Sequence, residues 1–150
     1  MPHYRKKPVE VFIDCEFNSF KGALITMALV GIDGREWYKA VPLYEPINGW
    51  VKDNVVPVLG EVECLDREAF SYSLAEFLAP YEAVHVIADW PEDIQHFTES
   101  LIIGPGLRVN TPPLTMEIRR DLDADSAVPH NALHDARGIR DLYLTLMGEA

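Results

Sequence analysis

The stretch that most constrains the fold of this 150-residue chain is residues 9–17, VEVFIDCEF. Its β-branched and aromatic side chains, directly after a proline, predict a β-strand. Because side chains alternate across a strand, Asp14 and Glu16 share one face and lie about 6.6 Å apart along it. Carboxylates on a mostly buried strand are costly unless a cation neutralises them or the strand end meets solvent. The pair therefore predicts either a divalent-cation site or a solvated strand end.

Length and composition bound the class of protein. A chain of 150 residues, 48% hydrophobic, predicts a single domain over 1–150 with a short polar lead-in at 1–8. The net charge of −11 argues against a broad basic surface for nucleic acid, but an acidic site that binds metals is compatible with it. Cys15 and Cys64 form no C-x-x-C, and no apolar run reaches the roughly 20 residues of a membrane span. We expect a soluble, cytoplasmic protein with no membrane partner.

The remaining chain alternates strand and helix patterns. Apolar runs predict strands over 24–32, 36–43, 84–88 and 107–109, with Asp33-Gly34 as the hairpin turn between the first two. Periodicity and capping residues predict helices over 50–56, 73–78, 91–101, 116–122 and 132–147. Ser73 is the expected cap of the second helix and Asn131 that of the last. These elements predict an α/β domain in which helices flank a mixed five-stranded sheet.

Two further groups of polar residues stand at helix starts. Asp89 and Asp93 lie where a predicted strand gives way to a helix, and Asp135 lies in the first turn of the last helix, shortly after His130. Acids in a first turn also complement the helix dipole, by about 0.3–1 kcal/mol, so each taken singly has a purely structural explanation. Asp135 shares a helix edge with Ile139, which turns it towards the core. The chain has none of the usual glycine-rich phosphate-binding motifs.

Taken in order, these groups resemble the motifs of the DEDDh exonucleases, a family with a ribonuclease H-like fold. The strings Asp-Cys-Glu-Phe at 14–17 and His-Asn-Ala-Leu-His-Asp-Ala at 130–136 are similar to those of small bacterial exoribonucleases that prefer polyadenylate, the RNase AS-like group. The middle motif departs from the commoner family pattern. Asp93 matches the position of the family's metal-associated Asp, and Asp89, where an Asn often stands, is the alternative ligand.

The resemblance implies a metal-dependent 3′–5′ exonuclease that releases nucleoside 5′-monophosphates from the 3′ end of single-stranded RNA. Two divalent cations, Mg²⁺ or Mn²⁺, would be held by Asp14, Glu16, Asp93 and Asp135, and His130 would be the general base. Two alternatives remain open. The chain could act on single-stranded DNA, or it could be a catalytically inactive nucleic-acid-binding protein of the same fold.

Phe17 and Asn18 follow the acidic pair at the mouth of the strand and are candidates to stack on the terminal base and contact its sugar. Core packing is the alternative for Phe17, which shares parity with the apolar positions of the strand. A zinc hydrolase built on His130 and His134 lacks a third ligand. Domains of this kind often form homodimers, which is a further expectation. The cations available for upstream phosphates are Lys21, Arg119, Arg120, Arg137 and Arg140.

Overall fold

A mixed six-stranded sheet with helices on both faces organises residues 7–148, the part of the chain that this computed structural model describes. Most of the predicted lead-in over 1–8 lies outside these residues. The strands are β1 (Val9–Phe17), β2 (Leu24–Gly31), β3 (Glu36–Ala40), β4 (Glu63–Cys64), β5 (Val84–Ala88), β6 (Ile102–Gly104), β7 (Leu107–Arg108) and β8 (Leu114–Ile118). The helices are α1 (Gly49–Asn54), α2 (Arg67–Leu78), α3 (Pro91–Ser100) and α4 (Ala132–Leu146), and 3-10 turns occupy Val56–Val58 and Arg120–Leu122.

The first strand lies inside the sheet, whose order is β4-β3-β2-β1-β5-β8. β1 runs antiparallel to β2 and parallel to β5, and β8 pairs in parallel with β5 at the edge. The register between β1 and β2 shifts between Glu16 and Phe17. An irregularity of this kind bends a strand and re-aims its side chains, and here it falls where the acidic pair ends.

The two faces of β1 pack against different helices, as the alternation of its side chains predicts. Val11 and Ile13 are fully buried in a core that includes Phe97 of α3. Phe12, on the opposite face, packs with Ile139 of α4. Asp14 and Glu16 have the parity of Phe12, so the strand directs both carboxylates towards the α4 side of the sheet.

The prediction of five strands is wrong, because the sheet contains six. β4 adds a short strand beside β3. β8 occupies part of the predicted helix over 116–122, of which only a 3-10 turn is helical. The predicted strand over 107–109 is present as β7, but it pairs with β6 in a separate two-stranded sheet. β8 is an exposed edge strand, so its residues show no alternation of burial that a sequence pattern could reveal.

The prediction that Ser73 caps the second helix is also wrong. α2 begins earlier, and the side chain of Asp66 caps it by accepting a hydrogen bond from the backbone N–H of Ala69 at 2.9 Å. Ser73 lies inside the helix, where its hydroxyl accepts a hydrogen bond from the indole of Trp37 at 2.9 Å. Ser73 therefore has a tertiary role here rather than a capping one.

The N-terminus of α4 is fixed as the sequence predicts. The side chain of Asn131 accepts a hydrogen bond from the backbone N–H of His134 at 3.2 Å, which caps the helix. The amide of Asn131 also donates to the carbonyl oxygen of Val58 at 2.8 Å. This second bond ties the start of α4 to the turn that follows α1.

The middle of α4 is held at two points. Arg140 donates hydrogen bonds to the carbonyl oxygens of Gly31 and Ile32, at 3.1 and 3.0 Å, where β2 turns into β3. Gly138 allows the preceding segment to approach closely, because a Cβ there would lie 2.5 Å from the carbonyl oxygen of Asp125.

Within residues 7–148 no helix has the length and apolar character that crossing a bilayer requires.

Candidate metal centre

Five carboxylates from three distant segments meet beside the end of β1. β1 supplies Asp14 and Glu16, the junction of β5 and α3 supplies Asp89 and Asp93, and the first turn of α4 supplies Asp135. One carboxylate oxygen each from Asp14, Glu16 and Asp135 lie within 4.8 Å of one another, and the same holds for Asp14, Asp89 and Asp93. The chain thus brings together every acidic residue that the sequence predicts, with Asp14 common to both groups.

Two oxygens of this cluster are buried without a hydrogen-bond donor. Asp93 is 2% exposed, and its Oδ1 accepts a hydrogen bond from the backbone N–H of Cys15 at 3.1 Å. The Oδ2 atoms of Asp93 and Asp14 have no partner. A buried polar atom without a partner is costly, and carboxylate oxygens are the ligands that hard divalent cations prefer. The residues present therefore fit Mg²⁺ or Mn²⁺.

The electrostatics of the cluster favour the same occupant. Burial raises the pKa of the Asp14 carboxyl well above its usual range, and the charges of Asp93 and Glu16 raise it further. Burial and then the charge of Asp135 raise the pKa of Glu16 to about 9. Burial, with the charge of Asp89, likewise raises the pKa of Asp93 well above its ordinary value. Without a cation, burial and mutual repulsion favour the protonated forms of these side chains, whereas divalent cations would stabilise their ionised forms.

The carboxylates open onto a surface cleft lined by Asp14, Asp89 and Asp123, which we call the acidic cleft. His130 lies at its rim, next to the cap of α4. Its side chain is exposed and lines the cleft together with Asp14 and Asp89. Its backbone has φ of 70°, in the left-handed region that non-glycine residues rarely adopt. The ring of Trp50 in α1 meets the imidazole edge to face, with centroids 5.0 Å apart and planes at 84°. The imidazole is thus placed by an unusual backbone conformation and an aromatic contact.

The histidines do not join the carboxylates. Neither of the two potential ligand groups found in residues 7–148 contains a histidine. His134 lies on α4 near Glu36 of β3 instead. The arrangement gives no support to a zinc site built on His130 and His134.

Phe17 and Asn18 have different surroundings. Phe17 is half-buried, lines the acidic cleft and contacts the ring of His96, with centroids 5.1 Å apart. Asn18 is only 7% exposed. Its amide donates to Glu45 at 3.1 Å, and its Oδ1 accepts a hydrogen bond from the backbone N–H of Asn48 at 2.7 Å. The amide of Asn18 is therefore engaged in holding two loops together, while Phe17 has a surface that faces the cleft.

The cleft also contains side chains other than the predicted acids, His130 and Phe17. Asp123 and Trp90 line it, and so does Arg120, which donates a hydrogen bond to the carbonyl oxygen of Asp89 and lies over the Trp90 ring at 5.0 Å. Of the five cations considered for upstream phosphates, Arg120 is the one that lines this cleft. Trp50 was missed because no spacing relates it to His130, whose neighbour it becomes only through the docking of α1.

Comparison of the sequence with protein-family models and with curated protein sequences finds no match. Fold and cleft define an α/β domain with an acidic, cation-compatible centre.

Proposed function

We propose that the chain is a metal-dependent 3′–5′ exoribonuclease of ribonuclease H-like fold. It would hydrolyse single-stranded RNA from the 3′ end and release nucleoside 5′-monophosphates. The observation that carries the proposal is the convergence of Asp14, Glu16, Asp93 and Asp135 in one cluster. Within it, the Oδ2 atoms of Asp14 and Asp93 are buried and lack hydrogen-bond partners. The mixed sheet with β1 between an antiparallel and a parallel neighbour is compatible with that fold, and the resemblance to DEDDh motifs supports the direction of cleavage.

The two ligand groups suit two cations. Glu16 and Asp135 would hold one of them and Asp93 the other, with Asp14 shared. Asp89 is close enough to replace or assist Asp93, whose orientation is fixed by the Cys15 amide. When bound, the cations would offset the charge of the phosphate and acidify the attacking water.

The other side chains of the cleft have separate tasks. His130 would accept the proton of the attacking water, since imidazole is the usual proton acceptor near neutral pH. Phe17 would stack on the terminal base. Arg120 would contact a phosphate, and its bond to the Asp89 carbonyl would keep the guanidinium beside the acids. Asn18 would act indirectly by fixing the turn that follows Phe17.

A digestion assay tests the proposal. A 5′-labelled RNA homopolymer should shorten one nucleotide at a time with Mg²⁺ or Mn²⁺, the products should be 5′-monophosphates, and EDTA should stop the reaction. Asp14→Asn should abolish cleavage. Asp141→Asn, on an exposed part of α4, is the matched control and should cleave normally. A folded protein that releases no mononucleotide, or that cuts internally, would contradict the proposal, and faster digestion of DNA would change the substrate.

A pair of variants separates the two candidates for the middle ligand. Asp93→Asn and Asp89→Asn make the same chemical change at neighbouring positions. If Asp93 is the ligand, its variant should lose activity and Mn²⁺-dependent stabilisation, and Asp89→Asn should retain most of both. The reverse result would assign the role to Asp89.

A further inference from the structure

A second cleft, of about 470 Å³, lies outside the carboxylate cluster. It is bounded by the turn between β1 and β2, the segment that follows β3, and the outer face of α3. The two clefts share a wall, because Phe17 lines the acidic cleft and contacts His96, which lines the second one. A volume of this size is typical of a pocket for a small organic ligand.

The second cleft presents an aromatic ring to solvent. Tyr44 lines it and is 86% exposed, the highest exposure of a large hydrophobic side chain in the described part of the chain. Phe20, in the adjoining turn, is 80% exposed. The ammonium of Lys21 lies over the Phe20 ring, 5.3 Å from its centroid. Exposed aromatic surface such as that of Tyr44 is the kind on which nucleobases stack.

The same cleft supplies positive charge in a chain whose net charge is −11. Lys21 and Arg67 line it, and within residues 7–148 neither forms an ion pair. Its acids are partly engaged elsewhere. Glu45 accepts hydrogen bonds from the backbone N–H of Ala23 at 2.7 Å and from Asn18 at 3.1 Å, and Glu99 accepts one from Gln95 at 3.2 Å. Glu45 and Glu99 balance the formal charge of the two cations, but neither acid forms a salt bridge with them in the described part of the chain, so Lys21 and Arg67 can contact an anionic ligand.

On the side formed by α3, the second cleft is also lined by a buried imidazole, that of His96. His96 is 5% exposed, and burial lowers the pKa of its imidazole. A neutral imidazole can both donate and accept a hydrogen bond, which suits the edge of a base better than a phosphate.

The turn that carries Lys21 is fixed by its own backbone. Ser19 and Lys21 have φ of 65° and 57°, both in the left-handed region. Gly22 is required next to them, because a Cβ there would lie 1.9 Å from the carbonyl oxygen of Asn18. With the bonds of Asn18 and Glu45, these features hold the floor of the cleft in one shape before a ligand binds.

We propose that the second cleft binds an upstream nucleotide of the single-stranded RNA whose 3′ end occupies the acidic cleft. Its base stacks on Tyr44, and neighbouring phosphates pair with Lys21 and Arg67. This inference rests on the proposed exonuclease function and adds a binding site to it. Since the site lies beyond the reacting phosphate, it contributes to the affinity for long strands and not to the hydrolysis of the shortest ones.

Kinetics on two substrate lengths test the inference. Tyr44→Ala should raise KM for an eight-nucleotide polyadenylate about 5- to 150-fold, the range expected for loss of one stacked base, and leave kcat unchanged. KM for a dinucleotide should not change. Tyr72→Ala, an exposed tyrosine on α2, is the matched control. Equal effects of Tyr44→Ala on both lengths, or no effect on the longer one, would overturn the inference.

Equilibrium binding keeps the inference testable if the chain proves not to hydrolyse RNA. Anisotropy of a labelled oligonucleotide in EDTA should show weaker binding to Arg67→Gln than to wild type. A plot of the logarithm of the binding constant against the logarithm of the salt concentration has a negative slope. Its magnitude should decrease by about 0.7 in Arg67→Gln, the value for one phosphate contact on a single strand. Arg108→Gln, an exposed arginine on β7, should match wild type. Unchanged binding and slope in Arg67→Gln would show that the cleft is not an RNA site, whatever the fate of the exonuclease proposal.

Discussion

Replacing Asp14 with Asn removes an ionisable carboxyl group and almost no volume from a residue that belongs to both ligand groups. With an effective dielectric constant near 20, two ionised carboxylates whose oxygens are at most 4.8 Å apart repel each other by about 3.5 kcal/mol or more. Protons held by the cluster relieve part of that repulsion in the wild type. The new amide can also donate hydrogen bonds to neighbouring carboxylates. We therefore expect Asp14→Asn to be more stable than wild type in EDTA at pH 8, by about 1–3 kcal/mol.

Divalent cations should reverse this ranking. A ligand that binds only the folded state stabilises it by RT ln(1 + [L]/Kd), so millimolar Mn²⁺ should raise the Tm of wild type. Asp14→Asn lacks the shared ligand and should gain little. Thermal unfolding in EDTA and in Mn²⁺ measures both effects, and a stability change of 1 kcal/mol corresponds to about 2–4 °C for a domain of this size.

The control is Asp141→Asn, an exposed carboxylate of α4 beside Arg140. It should follow wild type in both conditions. Two results would refute the reasoning. Lower stability of Asp14→Asn in EDTA would mean that the Asp14 carboxylate is satisfied without a cation, and equal stabilisation of variant and wild type by Mn²⁺ would place cation binding elsewhere.

Four further predictions follow from the same geometry. Burial and neighbouring charge raise the pKa of Glu16 from 4.5 to about 9, so its contribution to metal-free stability is complete below pH 4.5 and is lost as pH rises through 9. Urea unfolding in EDTA should therefore show the free energy of unfolding falling as pH rises. A free energy of unfolding that rises with pH would contradict the burial of this carboxyl. His130→Ala should lower kcat by about 10²–10⁴ with Mn²⁺-dependent stabilisation intact, and normal turnover would end its assignment as base. Trp50→Ala should lower kcat about 10- to 100-fold with KM unchanged, because the imidazole loses its aromatic neighbour, and Trp50→Phe should restore most of the rate; a change in KM alone would instead indicate substrate contact. Gly138→Ala should lower the free energy of unfolding by about 1–3 kcal/mol, because its Cβ meets the Asp125 carbonyl; the gain of about 1 kcal/mol usual for Gly→Ala in a helix would show that this contact yields freely.

Features encoded in short stretches of sequence were predicted well. Alternation along β1 placed Asp14 and Glu16 on the face opposite Val11, and the structure covers both faces with helices. The turn at Asp33-Gly34 was identified from its residue types, and Gly34 has the positive φ of 90° that such turns need. The predicted cap at Asn131 is present for the same reason, since a cap involves only neighbours in sequence.

Features that depend on distant partners were missed. β8 exposes four of its five residues and has no alternation of burial, so it is a strand because β5 offers hydrogen bonds and not because of its own pattern. The cap of α2 was misplaced because Ser73 satisfies a local motif while its hydroxyl is used by Trp37. Trp50 reaches the ring of His130 through the docking of α1, which no spacing in the sequence reports. Arg120 is one of five cations that the sequence offers for phosphate contact, and only the position of its 3-10 turn distinguishes it from the others. The approach of the acids to one another is also a tertiary fact, and only the family resemblance anticipated it.

The hydrogen bonds from Arg140 to the carbonyl oxygens of Gly31 and Ile32 also affect the carboxylate cluster. Asp135 precedes Arg140 by five residues on the same rigid helix, about 7.5 Å along its axis. The turn between β2 and β3 thus fixes the position of α4 along its axis, and with it the position of Asp135 relative to Glu16. If the carboxylates hold cations as proposed, a substitution in this surface turn would change the cation affinity without any contact to metal or substrate.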